Sequence, residues 1–250
     1  MQKEEIIKIL HNIENDENIE VLYACEAGSR VRGFSKVGSD YDIRFIYRKV
    51  DVQDYLSLKE INDVIEYSQE NMDIVGWDIK KALNLHFKDN PNLREWLISP
   101  EVYIDKGIDE MFDGLGRFDV NVLKNHYLAI ALVHWKKYNG LEFNSKKIKK
   151  YFFVIRSILS WNILDNGRYP PISIQELLDH ECCGISDDVK DSIENLIECY
   201  LSDCEIREET IFIINNFILN SFNSMKKVKT KSDKNFNLYE KRFKELIKIR

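Results

Sequence analysis

Val21-Leu-Tyr-Ala-Cys-Glu26-Ala-Gly-Ser-Arg30-Val-Arg-Gly33-Phe-Ser-Lys-Val-Gly38-Ser-Asp40-Tyr-Asp42-Ile-Arg44-Phe-Ile-Tyr47 is the stretch on which the fold turns. It opens with a short apolar run, Val21 to Ala24, of the kind a buried strand requires. Gly28-Ser29 interrupts the run, and a polar loop with Gly33 and Gly38 follows. From Tyr41 to Tyr47 the pattern alternates. Ile43, Phe45 and Tyr47 fall on one side, Asp42 and Arg44 on the other. Successive side chains of a strand point to opposite faces, so this is a strand with one face in the core. Asp40 and Asp42, two residues apart, then project from the same face.

Two carboxylates side by side repel unless a cation stands between them. Hard oxygen ligands of this kind suit Mg²⁺, or Mn²⁺ in its place. Such an ion neutralises charge on a reacting phosphoryl group. A glycine at 28 lets the backbone come close to a phosphate. The Ser29 hydroxyl and neighbouring N–H groups suit the β- and γ-phosphate oxygens of a triphosphate. A phosphate grip beside a metal grip is the equipment of nucleotidyl transfer. A P-loop kinase is excluded, because nothing matches G-x-x-x-x-G-K-[ST].

Outward from this core, Lys3 to Glu14 carries Ile6, Ile7, Leu10 and Ile13 at helical spacing. Tyr55 to Ser68 is expected to be a helix and Met72 to Trp77 a strand. Asp78 is a good N-cap for a helix through Ile79-Lys-Lys-Ala-Leu. Asn90-Pro91-Asn92 is a break, followed by a short helix over Leu93 to Leu97. Beyond Asp113-Gly-Leu-Gly116 strand signals fade. Long helical patterns cover Val120 to Tyr138, Ser145 to Leu164, Asp188 to Asp203 and Glu208 to Met225. The expected class is α+β, with an α/β domain over residues 1–112 and a helical domain over 113–250.

The 250 residues are 44% hydrophobic and 31% charged, as in ordinary globular proteins, and no apolar run reaches membrane-spanning length. The N-terminus, MQKEEIIKIL, is too charged for a signal peptide, so the expected location is the cytoplasm. The five cysteines show no C-x-x-C pair and no disulfide-dense framework. A zinc site from His180, Cys182 and Cys183 is disfavoured by its adjacent cysteines. Net charge is −6, against a generally basic nucleic-acid binder. The segment from Met225 to Arg250, however, has ten basic residues against three acids, which is +7 and leaves −13 for the rest. On charge alone this asymmetry reads first as a solvated lysine-rich terminal helix, with a polyanionic partner as the alternative.

Gly28-Ser29 followed by Asp40-x-Asp42 on a strand resembles the DNA polymerase β-like nucleotidyltransferase superfamily. The fuller strings, Glu26-Ala-Gly-Ser-Arg30-Val-Arg-Gly33 and Ser39-Asp40-Tyr-Asp42-Ile-Arg44-Phe-Ile-Tyr47, resemble its YcgL-like, RNA-repair-associated (RlaP-type) branch. Asp73-Ile-Val-Gly-Trp-Asp78-Ile-Lys-Lys81, Asn90-Pro91, Glu95-Trp96-Leu97-Ile-Ser99-Pro100 and Lys149-Lys150-Tyr151 extend the likeness over roughly Tyr23 to Leu178. The resemblance implies a mixed sheet in the first domain, Mg²⁺ as cofactor, an NTP as substrate and a third metal-binding carboxylate. Asp73, in an apolar-Asp-apolar context, and Asp78 compete for that place. They face opposite ways in an unbroken strand, unless Gly76 bulges it.

The candidate catalytic and metal-binding set is therefore Asp40, Asp42, Asp73 and Asp78. The candidate nucleotide-binding set is Gly28, Ser29, Arg30 and Lys81. Arg32 and Lys36 are further phosphate-contact candidates, equally readable as solvated loop cations. Lys80, Lys149, Lys150 and Arg156 are also candidates, with a solvated face as the favoured reading of each. His126, His134 and the four tryptophans read as core or groove residues. The resemblance implies RNA as the acceptor. A protein side chain or a small molecule is the alternative, as is a non-catalytic nucleotide- or RNA-binding module.

Overall fold

A computed structural model describes residues 2–58, 62–138, 145–230 and 233–248. Five strands form one mixed sheet: β1 (Ile19–Glu26), β2 (Tyr41–Lys49), β3 (Val64–Gln69), β4 (Met72–Asp78) and β5 (Val102–Asp105), in the order β3-β4-β2-β1-β5. β2 and β4 run parallel, and the other neighbours are antiparallel. β1 lies between β2 and β5, which is why its apolar run is buried on both faces.

Each face of the sheet has its own core. Helix α1 (Lys3–Glu17) lays Ile6, Leu10 and Ile13 against Val21, Ala24, Ile43, Phe45, Tyr47, Ile65 and Ile74. The opposite face, with Leu22, Tyr23, Cys25 and Ile46, is covered by α3 (Ile79–Phe87), α4 (Pro91–Leu97) and α5 (Ile108–Phe112). The rings of Trp77 on β4 and Trp96 on α4 stack with centroids 3.6 Å apart. The short helix α2 (Gly28–Arg32) follows β1 directly.

The described part of 55–68 is not the expected helix, and residues 59–61 of it lie outside the described residues. Val52–Leu56 forms a single 3₁₀ turn and the chain then enters β3. Ile65 and Tyr67 join the α1-side core while Glu66 and Ser68 stay exposed, so a period of two governs this segment. Pairing to β4 through a two-residue turn, with Asn71 left-handed at φ 64°, overrides local helix propensity. Gly76 does not bulge β4, since the pairing with β2 runs unbroken from Met72 to Asp78. Its role is space: a Cβ there would meet the Phe45 ring at 2.1 Å.

The remaining helices are α6 (Val120–Tyr138), α7 (Ser145–Asp165), α8 (Ile174–Asp179), α9 (Asp187–Ser202), α10 (Glu208–Ser224) and α11 (Phe236–Leu246). The chain forms two compact units, but not by a single cut at residue 112. One unit comprises 1–31, 37–118 and 232–250, the other 32–36 and 119–231. In the second unit α6 lies against α7, α9 against α10, and α7 also meets α8, α9 and α10.

The C-terminal segment thus returns to the sheet unit. Tyr239 and Ile247 enter the core of the α3 side. Lys234, its side chain 8% exposed, pairs with the buried Asp89 at 2.6 Å. Arg242 donates to the carbonyls of Glu110 and Asp113. Part of the tail's positive charge therefore fastens the helix, while Lys226, Lys227 and Lys229 stay exposed. Lys231 and Arg250 lie outside the described residues.

Cys199 and Cys204 pair as a disulfide at the end of α9. His180 accepts the backbone N–H of Cys182 through Nδ1, and no group of metal-ligating side chains gathers there among the described residues. No described helix is long and apolar enough to cross a membrane.

Candidate active site

The site forms where β2 and β4 run side by side. In their parallel register Asp42 stands opposite Asp73, and Arg44 opposite Val75. The two carboxylates are neighbours on one sheet face. Arg44 holds them together: one terminal nitrogen donates to Asp42 Oδ1 at 3.2 Å and to Asp73 Oδ2 at 2.7 Å, and the other reaches the Asp73 carbonyl at 2.8 Å. The Asp73 side chain is half exposed and that of Asp42 a quarter exposed. Both remain reachable from solvent.

Gly28 closes the other side of Asp42. A Cβ at this glycine would fall 1.7 Å from Asp42 Oδ2, and its φ of +65° is itself unsuited to an L side chain. The carboxylate lies against bare backbone where β1 turns into α2. Ser29 is the next residue, and its hydroxyl takes no partner among the described residues.

Around this centre the chain is tied down. Glu26, 2% exposed, accepts the Asp42 N–H at 2.8 Å and the Tyr103 hydroxyl at 2.5 Å. Burial pushes its carboxyl above the usual range, and these two donors oppose the shift. Ser99 donates to the Glu26 carbonyl at 2.6 Å. Arg30 lies 3.7 Å over the Tyr41 ring and donates to the carbonyls of Ser39 and Asp40. It braces the loop that delivers Asp40. Asp40 itself is exposed at the entry to β2, two residues before Asp42.

Asp78 and Lys81 are not brought to this place. Asp78 pairs in register with Tyr47, five residues along β4 from Asp73, which is roughly 17 Å at strand rise. Its side chain is buried and caps α3, accepting from the Lys80 N–H and the Tyr55 hydroxyl, each at 2.8 Å. Lys81 pairs with Asp63 at 2.9 Å at the same end of the strand.

Two contributors were not singled out from the sequence. Arg44 was legible, since it lies two residues from Asp42 and shares its face. Glu26 was not, because its partner Tyr103 belongs to β5, a strand too short to announce itself.

The donor set is all carboxylate oxygen, and one cationic group already reaches both Asp42 and Asp73. Carboxylate oxygens are the donor type that a hard divalent cation takes, and Asp42 and Asp73 would be its holders here. Among the described residues no three ligand side chains stand close enough to hold a metal. The pair is preformed, and Asp40 is not gathered to it.

A mixed sheet that places carboxylates on adjacent parallel strands beside a Gly-Ser helix start, joined to a helical unit, defines a polymerase β-like α+β protein. The chain belongs to the RNA repair pathway DNA polymerase beta family, whose profile matches residues 2–247. It is 35% identical over 225 residues to the uncharacterised protein YcgL of Bacillus subtilis strain 168, covering 86% of this chain and 84% of that one. A crystal structure of a nucleotidyltransferase-like protein from Exiguobacterium sibiricum aligns over 98% of this chain and 80% of its own, with TM-score 0.40 and 12% identity.

Proposed function

We propose that the protein is a nucleotidyltransferase that moves a nucleoside monophosphate from an NTP to a hydroxyl of an acceptor, with an RNA end as that acceptor. The observation that carries this reading is the in-register pair Asp42 and Asp73, facing solvent beside Gly28 and Ser29. In the reaction the acceptor oxygen bonds to the α-phosphorus and the bond to the β-bridging oxygen breaks, releasing pyrophosphate. Asp73, the more exposed of the pair, would receive the acceptor proton. Ser29 and the N–H groups that open α2 would hold the triphosphate. Asp42 and Asp73, with Asp40 drawn in, would hold Mg²⁺ or Mn²⁺. When bound, that ion supplies charge neutralisation at the reacting phosphoryl group. The choice of RNA is supported by the family.

A second reading has one observation in its favour. Arg44 already occupies the cation position between Asp42 and Asp73. A permanent guanidinium there would leave a nucleotide- or RNA-binding module without catalysis. Incubation with each α-labelled NTP, Mg²⁺ or Mn²⁺ and total RNA separates the two. Transferase activity predicts label in the RNA pool. Absence of label from RNA, protein and small-molecule pools would establish the binding module, and label in another pool would redirect the acceptor.

A further inference from the structure

Among the described residues several cations of this acidic protein pair with carboxylates, Arg44, Arg48, Lys124 and Lys234 among them. A group of lysines in the helical unit does not. Between residues 136 and 150 the sequence has six lysines, Lys136, Lys137, Lys146, Lys147, Lys149 and Lys150, against the single acid Glu142. Lys136, Lys137 and Lys149 are exposed and Lys150 is half-buried. Among the described residues none of these four has a carboxylate partner, whereas the nearby Lys124 is paired with Asp165.

The lysines do not stand over an ordinary polar surface. His134 lies parallel to Phe153 (5.2 Å, 16°) and to Tyr138 (6.2 Å, 23°), so α6 and α7 present a row of three rings. Cations lie along the row. Lys137 is 5.3 Å from the Tyr138 ring, Lys150 is 5.5 Å from Tyr138 and 5.1 Å from Phe153, and Arg32 is 5.4 Å from Phe153. The imidazole between them is held neutral, because burial, Lys150 and Lys137 all push its pKa down. His134 Nδ1 is buried without a hydrogen-bond partner among the described residues.

Concentrated positive charge without counter-charge costs free energy through self-repulsion, and a polyanion relieves it. Cations interleaved with partly exposed rings suit one class of polyanion in particular. A single nucleic-acid strand offers phosphates to the lysines and unpaired bases to the rings. We infer that the α6–α7 surface formed by Lys136, Lys137, Lys149 and Lys150 around Tyr138, His134 and Phe153 binds single-stranded RNA. Lys226, Lys227 and Lys229 are also exposed but, among the described residues, stand over no aromatic ring. The choice of RNA over other polyanions rests on the proposed acceptor, so binding is measured apart from transfer.

The test is anisotropy of a labelled single-stranded RNA oligomer, titrated with the full-length protein at several salt concentrations without NTP. The fourfold reversal of Lys136, Lys137, Lys149 and Lys150 to Glu should weaken binding at least about tenfold. It should also make the salt slope shallower by about 0.7 for each phosphate that a lysine no longer neutralises. Tyr138→Leu should weaken binding about fivefold or more with the slope unchanged, the mark of weakened stacking rather than altered charge. Reversal of Lys226, Lys227 and Lys229 is the matched control and should leave affinity within about twofold. Lys150→Gln guards against misfolding of the fourfold variant, and NTP binding checks the nucleotide site. RNA affinity undisturbed by the α6–α7 reversals, or abolished to the same extent in the tail variant, overturns the inference. So does a fourfold variant that loses NTP binding but keeps RNA. Intact RNA binding by a protein with no transferase activity would sink the proposed reaction and leave the surface standing.

Discussion

Among single residues, Gly28, Asp42, Arg44 and Asp73 form the centre of the site. A methyl group at 28 has no room, since Asp42 Oδ2 stands 1.7 Å from where it would be built. Gly28→Ala should therefore displace the carboxylate and bring left-handed strain of about 1–2 kcal/mol. The expected result is loss of nucleotide transfer with only a modest fall in melting temperature. Full activity in this variant would remove Asp42 from the site. Arg44 makes a different prediction. Its guanidinium is the cation that separates two neighbouring carboxylates, and Asp73 is half exposed, so water screens part of the effect. Arg44→Gln should cost about 1 kcal/mol in metal-free protein, roughly 2–4 °C in a chain of this size. Mn²⁺ should restore more stability to the variant than it adds to the wild type. Equal melting temperatures with and without the ion would mean that the pair does not attract one. Arg44 was readable in the strand alternation, because position i+2 shares the Asp42 face. The Asp73 pairing was not, because register between β2 and β4 depends on a crossover of more than twenty residues.

At the element scale, β4 and α11 carry the two lessons. β4 ends by converting Asp78 into the cap of α3, with its carboxylate buried and accepting from Lys80 and Tyr55. Asp78→Ala removes the cap and strands the Tyr55 hydroxyl, so a loss of about 1–3 kcal/mol is expected in chemical denaturation. No loss would mean the cap is dispensable. The cap was legible from Asp78-Ile-Lys-Lys alone. What the local pattern did not convey was β3, where Ile65 and Tyr67 alternate over too few residues to outweigh a helical reading of the longer window.

α11 is held through Tyr239, whose hydroxyl donates to the Leu115 carbonyl at 3.0 Å and meets His86 Nδ1 at 2.7 Å. Nδ1 is then the protonated nitrogen of a neutral imidazole. Burial, aided by Lys234, drives the His86 pKa down to about 3. Its folded value lies below the unfolded one, near 6.5, so the stability held by neutral His86 is present above pH 6.5 and is lost as pH falls toward 3. Tyr239→Phe should cost about 1–3 kcal/mol at neutral pH by leaving His86 Nδ1 and the Leu115 carbonyl unpaired. Thermal melts between pH 7 and 4 should show wild-type stability falling. If His86→Gln, destabilised or not, shows the same pH slope, His86 is not the titrating group.

At the scale of the whole molecule, the α+β order of the chain was readable, and the helices from Val120 to Met225 stand close to their sequence patterns. The division into units was not. The pattern Tyr239, Phe243, Leu246, Ile247 marks a helix face but carries no address, and only tertiary packing shows that it closes over α3 in the sheet unit. For the same reason the net charge of the tail does not separate Lys234 and Arg242, which serve packing, from Lys226, Lys227 and Lys229, which stay exposed. The carboxylate pair across β2 and β4 is what nucleotide transfer by this protein would depend on. Transfer of α-labelled nucleotide should be measured for the wild type, Asp42→Asn, Asp73→Asn and Asp78→Asn under identical Mg²⁺ or Mn²⁺. Asp42→Asn and Asp73→Asn should each lower transfer by a factor of about 10² or more, as expected when a charge acting on the reacting phosphoryl group is removed. Asp78→Asn should stay within a few-fold of wild type once corrected for folded fraction. Undiminished transfer in Asp73→Asn together with its loss in folded Asp78→Asn would contradict the account and move the site to the other end of β4.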